Sequence, residues 1–592
     1  RIARDNFYGQ TLTTFLLESP QKFWRFLSDT SERVEQLRIN GIVSTNGKEI
    51  ANEFNASFHR AFTTPDSLLI ENDNYASSSA SVKMPDVVLS HEGIFSLLLN
   101  INVKKSCGAD AIPNSFLHRY SEIVSEYLYL LFSASLNQCS LPADWLTARV
   151  VPVFKSGDKL DAGNYRPISL ISTCCKLLEH IIANHISRYL ESTNFFDKNQ
   201  HGFRRNVSTT TQLISVVHDF AAAMDNRHQI DAIFLDLSKA FDRVPHNLLI
   251  DRLKEAGLPD RLVRWIQAYL QNRSQFVERD GSKSDNLQVL SGVPQGSVLA
   301  PLLFLIYINN ISKNIDECVS VKLFADDCVM YSLVKSSSCQ TTLNENLCKL
   351  ADWCDLQKMK INFSKTVSMT LTTKKKPLSY IYHIGNQCIQ EVSSVKYLGL
   401  TIKNNLKWDQ HINNICAKAF RKLCFLRRKL KGCQSAVKLV AYRSLVRPVL
   451  EYASIVWDPY LVKDIAEVER IQRLAARFIL SDYRTSSSVT NLIKQLDLEP
   501  LHLRRQISRL KFLYLLYNNS SGLSSDTYLR PVPQRSARLN HSKVICPYYA
   551  RTNLFQKSFF PNTIEQWNCL PSLLMECTHV NQFDHLLTKL LL

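Results

Sequence analysis

The sequence predicts a mixed α+β fold centred on a β-hairpin that carries two adjacent carboxylates. Apolar residues alternate from Val319 to Ala325, as in a half-buried strand, and the apolar pattern resumes at Val329. Asp326 and Asp327 then lie at the hairpin tip. Two further observations support this fold class: a second apolar run that ends in an aspartate, and apolar residues at helical spacing after the hairpin.

The second run extends from Ile230 to Leu235 and ends in Asp236. Neighbouring carboxylates raise each other's pKa unless a cation lies between them. If both strands belong to one sheet, three carboxylates point at one place, and hard cations such as Mg²⁺ take oxygen ligands. Two such ions about 3.5–4 Å apart suit nucleotidyl transfer. The alternative for an isolated Asp-Asp pair is a polar turn.

Helical spacing predicts helices around this sheet. The leucines from Leu343 to Leu350 predict a helix packed on it. Other predicted helices span residues 115–137, 248–256 and 262–272, and another begins near residue 209. Gly257 follows the second of these and suits a helix stop.

Two motifs carry a family resemblance. Phe324-Ala-Asp-Asp327 and Leu235-Asp-Leu-Ser-Lys-Ala-Phe-Asp242 resemble the catalytic motifs of reverse transcriptases, in the form found in non-LTR (LINE-type) retrotransposons of the jockey and CR1-like groups. The resemblance covers roughly residues 100–480. It implies a right-hand polymerase with fingers, an antiparallel palm sheet and a helical thumb. It also implies an RNA-directed DNA polymerase, a nucleotidyltransferase that uses deoxynucleoside triphosphates, an RNA template and a DNA primer or target.

The resemblance assigns roles to individual residues. Catalysis and metal binding fall to Asp236, Asp326 and Asp327, which would hold two Mg²⁺ ions, with Mn²⁺ as the alternative ion. The implied nucleotide-binding residues are Lys155, Arg166, Phe241, Gln295, Gly296 and Lys365. The implied primer grip is Tyr397, Leu398 and Gly399. For Lys155 and Lys365 the alternative is a solvated surface cation, for Gln295 and Gly296 an ordinary Pro/Gly turn, and for Phe241 a core aromatic in a turn.

Cationic helices follow residue 410. Because the sign is nearly uniform and a duplex must be gripped downstream of the palm, we expect them to contact a nucleic-acid backbone. The alternative is a solvated helix face. The expected contact residues are Arg421, Lys422, Arg427, Arg428 and Lys431.

Composition agrees with a nucleic-acid partner. The 592 residues carry a formal net charge of +18, which favours a polyanion partner, either nucleic acid or an anionic membrane. The 16 cysteines lack zinc-ligand spacing and predict reduced core thiols. No apolar run reaches the length of a membrane span, so we expect no membrane partner and an intracellular protein. The resemblance implies a ribonucleoprotein in nucleus and cytoplasm, and no obligate protein partner is evident. Because the chain starts at Arg1, we expect a fragment or truncated reading frame.

The predicted order of domains is a connector at 1–100, an N-terminal reverse-transcriptase motif region at 101–135, fingers and palm at 136–402, a basic helical thumb at 403–510 and a tail of unknown role at 511–592. Two other functions compete. An RNA-dependent RNA polymerase shares the palm, but Phe324-Ala before the aspartates and Phe241 argue against it. A decayed or host-retained copy would only bind nucleic acid.

Overall fold

The computed structural model describes residues 11–27, 36–63, 83–279, 281–531 and 541–592. Within these residues, two five-stranded sheets are surrounded by helices. The strands are β1 (Leu37–Ile39), β2 (Ile42–Ser44), β3 (Thr147–Phe154), β4 (Tyr165–Leu170), β5 (Gln229–Leu235), β6 (Ser274–Arg279), β7 (Ser282–Lys283), β8 (Leu287–Gln288), β9 (Val319–Phe324), β10 (Asp327–Val334), β11 (Val367–Leu371), β12 (His383–Ile384), β13 (Gln387–Cys388), β14 (Gln390–Glu391), β15 (Ser394–Tyr397) and β16 (Leu400–Lys403).

The helices fall into two halves of the chain. Before the thumb they are α1 (Leu12–Glu18), α2 (Pro20–Leu27), α3 (Gly47–His59), α4 (His91–Leu99), α5 (Asn114–Arg119), α6 (Ser121–Gln138), α7 (Ala143–Leu146), α8 (Thr173–Ser192), α9 (Thr209–Asp225), α10 (Ala240–Arg243), α11 (His246–Glu255), α12 (Asp260–Leu270), α13 (Ala300–Ile308) and α14 (Ser337–Leu356). From the thumb onward they are α15 (Asp409–Lys429), α16 (Ser435–Ala441), α17 (Arg447–Glu451), α18 (Ser454–Trp457), α19 (Val462–Leu480), α20 (Val489–Gln495), α21 (Leu501–Tyr517), α22 (Ser525–Tyr528), α23 (Asn553–Gln556), α24 (Phe559–Asn568), α25 (Ser572–Met575) and α26 (Val580–Leu591).

The central sheet has the strand order β14-β11-β5-β10-β9. Strand β10 runs antiparallel to both β9 and β5, and Phe324 pairs with Asp327 across a two-residue turn. The predicted hairpin is therefore confirmed. Helix α14 packs on the sheet through Leu343, Leu347 and Leu350, which are fully buried, so that prediction is confirmed too.

The second sheet has the order β4-β3-β6-β7, with β8 also paired to β6. Strands β3 and β4 form an antiparallel hairpin, while β3 and β6 are parallel. Helix α3 covers this sheet: Ile50 and Phe54 pack with Val150, Tyr165 and Val277. Part of the predicted N-terminal connector thus belongs to the core of the second sheet.

Two long cationic helices follow the sheets. In α15 the apolar face contains Ile412, Leu423 and Leu426, all buried. Helix α19 packs against it and buries Val468 and Ile471. Their cationic residues lie mainly on the solvent side, because the apolar stripes face the core.

The tail packs behind the central sheet. His218 on α9 is surrounded by the rings of Tyr528, Tyr548, Phe555 and Phe560, with its centroid 4.8 Å from that of Phe560. Burial lowers the pKa of His218 to about 4, so the imidazole is neutral there. One hydrophobic core runs from α1 through the central sheet and the thumb helices into the tail.

Asp225 at the end of α9 fixes the tail by its charge. Its carboxylate accepts the backbone N–H groups of Arg551 and Thr552 and the hydroxyl of Thr552, at 2.7–3.0 Å. Thr552 in turn caps α23. A carboxylate at a helix N-terminus is stabilising because the free N–H groups and the helix dipole favour negative charge.

One predicted helix differs from the structure. The segment 115–137 forms two helices, α5 and α6, separated at Tyr120, whose backbone (φ −106°, ψ 28°) leaves the helical region. In the described part of the chain, no helix combines the length and apolarity needed to cross a bilayer.

Candidate active site

The strand register brings the predicted aspartates to one end of the central sheet. Cys328 pairs with Leu235 in the antiparallel ladder between β10 and β5. Continuing that register by one residue places Asp327 opposite Asp236. Asp326 occupies the turn directly before Asp327. The carboxylates of Asp236, Asp326 and Asp327 therefore gather at one edge of the central sheet, the carboxylate edge.

The three carboxylates act on one another electrostatically. Loss of solvation and the charge of Asp236 raise the pKa of Asp326. Loss of solvation, Asp326 and Asp236 raise the pKa of Asp327 to about 6. Lys155 and Arg166 act in the opposite direction on both aspartates. The site therefore concentrates negative charge that a cation would relieve.

The turn that carries Asp326 is held from below by the segment 199–202. Gln200 accepts the Ala325 N–H at 2.9 Å and donates to the Ala325 carbonyl at 3.3 Å. Ala325 adopts a positive φ of 54°, a conformation that costs energy unless its surroundings enforce it. Gly202 lies so close that a Cβ atom there would be 2.2 Å from the Ala325 nitrogen. The segment 199–202, which precedes the helix predicted near residue 209, thus supports the turn that carries Asp326.

Asp236 is enclosed by the loop before β11. Its Oδ2 accepts from Asn362 Nδ2 at 3.0 Å and lies 3.5 Å from Lys365 Nζ. Its backbone N–H donates to Thr366 and its carbonyl accepts from the Asn362 N–H. In the described residues Oδ1 has no protein partner, which leaves one carboxylate oxygen open to a ligand.

The hairpin of β3 and β4 presents the two predicted cations. Arg166 pairs with Val153 across the ladder, and Lys155 follows β3 with its N–H bonded to the Asn164 carbonyl. Both side chains are exposed and lie close enough to shift the pKa of Asp326 and Asp327. An arginine fork and a flexible ammonium facing carboxylates suit a phosphate chain placed between them.

The loop 291–297 lies between the two sheets. Gln295 donates from Nε2 to Asp242 Oδ1 at 2.8 Å, and its carbonyl accepts from the Ser169 N–H of β4. Gly296 has a φ of +114°, and a Cβ there would lie 2.6 Å from the Ser169 carbonyl oxygen, so the position requires glycine. The Gln295 side chain is therefore hydrogen-bonded to Asp242 and is not free in this structure.

Glu179 anchors that loop, and sequence reasoning missed it. The side chain is fully buried on α8 and accepts from Ser297 Oγ, the Val298 N–H and the Tyr269 hydroxyl at 2.7–2.9 Å. A buried carboxylate is tolerable when such donors satisfy it. The available signal was a glutamate on the apolar face that Cys175 and Ile182 define.

Phe241 lies half-buried beneath the site. Its ring stacks on Phe304 with centroids 4.3 Å apart, and it meets Phe203 edge-on at 6.1 Å. The Phe241 carbonyl accepts the Val293 N–H, which ties this turn to the loop 291–297. The ring is therefore held in place. This agrees with the implied nucleotide-binding role of Phe241 and equally with the alternative of a core aromatic in a turn.

The predicted primer-grip residues form the turn between β15 and β16. Tyr397 is buried, its hydroxyl accepts from Gln212, and its ring meets Phe234 of β5 at 5.4 Å. Leu398 and Gly399 have positive φ, and the Leu398 carbonyl accepts from the Tyr452 hydroxyl at 2.9 Å. The turn is thus fixed beside the carboxylate edge of the sheet.

The predicted backbone-contact residues all lie on α15 or just after it. Arg421, Arg427, Arg428 and Lys431 are exposed, and Lys422 is half-buried. None of them forms an ion pair with a carboxylate in the described residues. The surface therefore carries uncompensated positive charge.

The donor set suits a hard divalent cation. The side chains of Asp326 and Asp327 accept no hydrogen bond from another residue's side chain in the described chain. Within the same residues no group of three His, Cys, Asp or Glu side chains is arranged to hold a metal ion on its own. Mg²⁺ usually takes one or two carboxylates and completes its shell with water and substrate phosphates. The aspartates fit that partial shell.

Comparison with known proteins identifies the domain. The family described as reverse transcriptase (RNA-dependent DNA polymerase) matches residues 154–402. This segment is a reverse transcriptase domain. The match contains the three aspartates, both cations and the predicted primer grip. Together with the central sheet, which is antiparallel except for the β11–β14 pair, it confirms the predicted right-hand polymerase fold class.

Named relatives confirm the predicted resemblance to retrotransposon reverse transcriptases. The chain is 29% identical to the RNA-directed DNA polymerase from mobile element jockey of Drosophila melanogaster, over 68% of this chain and 45% of the relative. It is 27% identical to the probable RNA-directed DNA polymerase from transposon BS of the same organism, over 86% and 58% respectively. The chain thus spans about half the length of these relatives. A solved structure of apo telomerase from Candida tropicalis superposes with a TM-score of 0.38 at 12% identity, covering 67% of each chain.

Proposed function

We propose that this chain is the RNA-directed DNA polymerase of a jockey-like non-LTR retrotransposon, copying an RNA template into DNA from a DNA primer or target end. The observation that carries the proposal is the register that sets Asp236 opposite Asp327 beside Asp326, with Lys155 and Arg166 facing them. A carboxylate edge opposite two exposed cations suits a triphosphate between them.

Asp236, Asp326 and Asp327 hold two Mg²⁺ ions, or Mn²⁺, in this proposal. When bound, the ions lower the pKa of the primer 3′-hydroxyl and neutralise charge on the triphosphate. Lys365, beside Asp236, is placed to meet the departing pyrophosphate. Lys155 and Arg166 bind the incoming triphosphate from the β3–β4 hairpin. The aspartates therefore position the reacting oxygens, and the cations orient the phosphate chain.

The remaining contacts position substrates. Gln295 and Gly296 line the nucleotide pocket, with Glu179 keeping that loop in place. Tyr397, Leu398 and Gly399 hold the primer end. The cationic thumb surface contacts the nucleic-acid backbone through Arg421, Lys422, Arg427, Arg428 and Lys431. The segments 1–100, 101–135, 136–402, 403–510 and 511–592 correspond to connector, N-terminal motif, fingers and palm, thumb and tail, and the assembly acts as a ribonucleoprotein in cytoplasm and nucleus.

Primer extension tests the proposal. The full chain should extend oligo(dT) on poly(rA) with dTTP and Mg²⁺, and chelation of the metal should abolish extension. Extension on a DNA template but not on an RNA template would contradict the RNA-directed assignment. Retained binding of template–primer without any extension would favour the alternative of a decayed copy that only binds nucleic acid.

Phe241 is expected to select the sugar. If its ring faces C2′ of the incoming nucleotide, a 2′-hydroxyl loses its water without gaining a partner, which costs about 1–3 kcal/mol. Phe241→Val should therefore raise ribonucleotide incorporation relative to deoxynucleotide incorporation by roughly tenfold to a hundredfold in single-nucleotide extension. Phe116→Val, at an exposed phenylalanine on α5, is the matched control. Equal losses for both sugars would show that Phe241 only packs on Phe304.

A further inference from the structure

A cleft opens on the thumb where the C-terminal ends of α15 and α19 meet the start of α16. We call it the thumb cleft, and it is lined by Arg427, Arg428, Lys431, Lys438, Phe478 and Tyr483. Four of these residues are cations. The nearest carboxylate in sequence, Asp482, is occupied by Arg484 and Ser487, so it does not neutralise the cleft.

Lys438 is the unusual member of the cleft. The residue is only 3% exposed, yet in the described chain its ammonium forms no ion pair with a carboxylate. Its Nζ donates to Ser481 Oγ at 2.7 Å and lies 5.3 Å from the Phe478 ring centre. An ammonium has three donors, so two remain unused by these contacts. Burying such a charge is unfavourable unless an anion compensates it.

Tyr483 supplies a stacking surface at the rim of the cleft. The residue is 54% exposed, and the guanidinium of Arg427 lies 5.5 Å from its ring centre. An exposed aromatic beside cations is suited to a nucleic-acid base, whose flat face stacks regardless of sequence. The bases of a duplex are already stacked inside the helix, so only an unpaired base can use this ring.

We propose that the thumb cleft binds an unpaired nucleotide of a nucleic-acid strand, with its phosphate at Lys438, Arg427 and Arg428 and its base on Tyr483. The inference rests on the proposed function only in requiring that the chain binds nucleic acid. A duplex phosphate lies on a convex surface and cannot reach a buried ammonium, whereas a flexible single strand can enter the cleft. The thumb would then distinguish unpaired strand from duplex.

Fluorescence anisotropy tests this with the full chain and two labelled probes, single-stranded oligo(U) and a blunt RNA–DNA hybrid. Tyr483→Ala should weaken oligo(U) binding by roughly fivefold to a hundredfold, as expected for one stacked base. Lys438→Gln should weaken it too and flatten the log–log salt slope by about 0.7, the value for one phosphate of a single strand. Affinity for the hybrid should change by less than about twofold in both variants.

Tyr460→Ala and Lys463→Gln are matched controls, because both residues are exposed on the thumb and line a different cleft. They should leave oligo(U) binding unchanged. Lys438→Gln should melt no lower than the parent, since it removes a buried charge. If Lys438 instead only stabilises α19, Lys438→Gln should lower the melting temperature. Tyr483→Ala would then leave oligo(U) binding intact. These two results would overturn the proposal.

Equal losses on oligo(U) and hybrid would also overturn the proposal, because they would indicate ordinary backbone contact. A parent chain that binds neither probe contradicts the proposed function itself. A parent that binds both, with the Lys438 and Tyr483 variants unchanged, contradicts only the thumb cleft.

Discussion

Replacing Asp326 with Asn is expected to lower the rate of primer extension at least about a thousandfold while template–primer binding stays nearly intact. Metal-ion stabilisation of the reacting oxygens is worth several kcal/mol, and each 1.36 kcal/mol is a factor of ten in rate. Binding is expected to survive because the proposed backbone contacts are residues on α15 or just after it, which the substitution leaves unchanged. Asp236→Asn should behave in the same way. Single-turnover extension with filter binding of the same template–primer measures both quantities.

Measuring the melting temperature of the aspartate variants tests whether the loss of primer extension comes from unfolding. The pKa of Asp327 is raised to about 6 from an ordinary value of 3.8, so the ionised side chain disfavours the folded state. In metal-free buffer Asp327→Asn should therefore melt above the parent at pH 7. The difference should be fully present above about pH 6 and disappear as the pH falls towards 4. Substantial activity in both the Asp236 and the Asp326 variants, or a variant melting well below the parent, would contradict the site.

Gly202→Ala is expected to lower the extension rate about a hundredfold, although Gly202 touches no substrate in the proposed mechanism. The added Cβ would lie 2.2 Å from the Ala325 nitrogen, so either the segment 199–202 or the catalytic turn must move. Overpacking costs about 1–3 kcal/mol, and a displacement of about 1 Å at reacting groups costs about a hundredfold in rate. The loss should appear in kcat for the deoxynucleotide, with a smaller change in KM.

Gly385→Ala separates this effect from a general loss of stability. Gly385, in the turn between β12 and β13, has a positive φ of 54°, and nothing lies within 4 Å of a Cβ there, so the change costs about 1–2 kcal/mol of backbone strain without a steric clash. It should lower the melting temperature and leave the extension rate unchanged. If the Gly202 variant retains full activity, the turn is not held by the contact with Gly202, and Gln200 alone supports it.

The carboxylate edge could be predicted from sequence because two apolar runs end in aspartates, once both strands are taken to lie in one sheet. Alternation up to Ala325 predicts a strand, and a hairpin with Asp326 in its turn follows directly. The run ending at Asp236 gives the partner strand, and an antiparallel register then sets the two acids opposite each other. Helix α14 could be predicted from its leucines, which recur at regular helical spacing.

The residues that hold the site in place could not be predicted in this way. Gln200 and Glu179 act through buried polar contacts to residues more than a hundred positions away. No local pattern encodes such a partner; a polar residue on an apolar face indicates only that some partner exists. The break at Tyr120 is likewise invisible to helical periodicity, which continues through α5 and α6.

The tail shows the same limit on a larger scale. Its sequence suggested no chemistry, and the structure places it against α9, where Asp225 meets residues some 326 positions later. Because one core joins the central sheet, the thumb helices and the tail, the segment 511–592 contributes to stability rather than forming a separate body. Packing between such distant segments follows from three-dimensional shape, which composition does not reveal.

This arrangement has a consequence for the order in which the chain folds on the ribosome. The strands that carry the aspartates are complete by Val334, but the rings that cover His218 belong to residues 528–560. At about 5–20 residues per second, synthesis reaches those residues roughly 10 to 50 s later. Until then the outer face of α9 exposes apolar surface, the condition under which nascent chains aggregate or bind chaperones. The packing around α9 is therefore completed only well after the strands that carry the aspartates have been made.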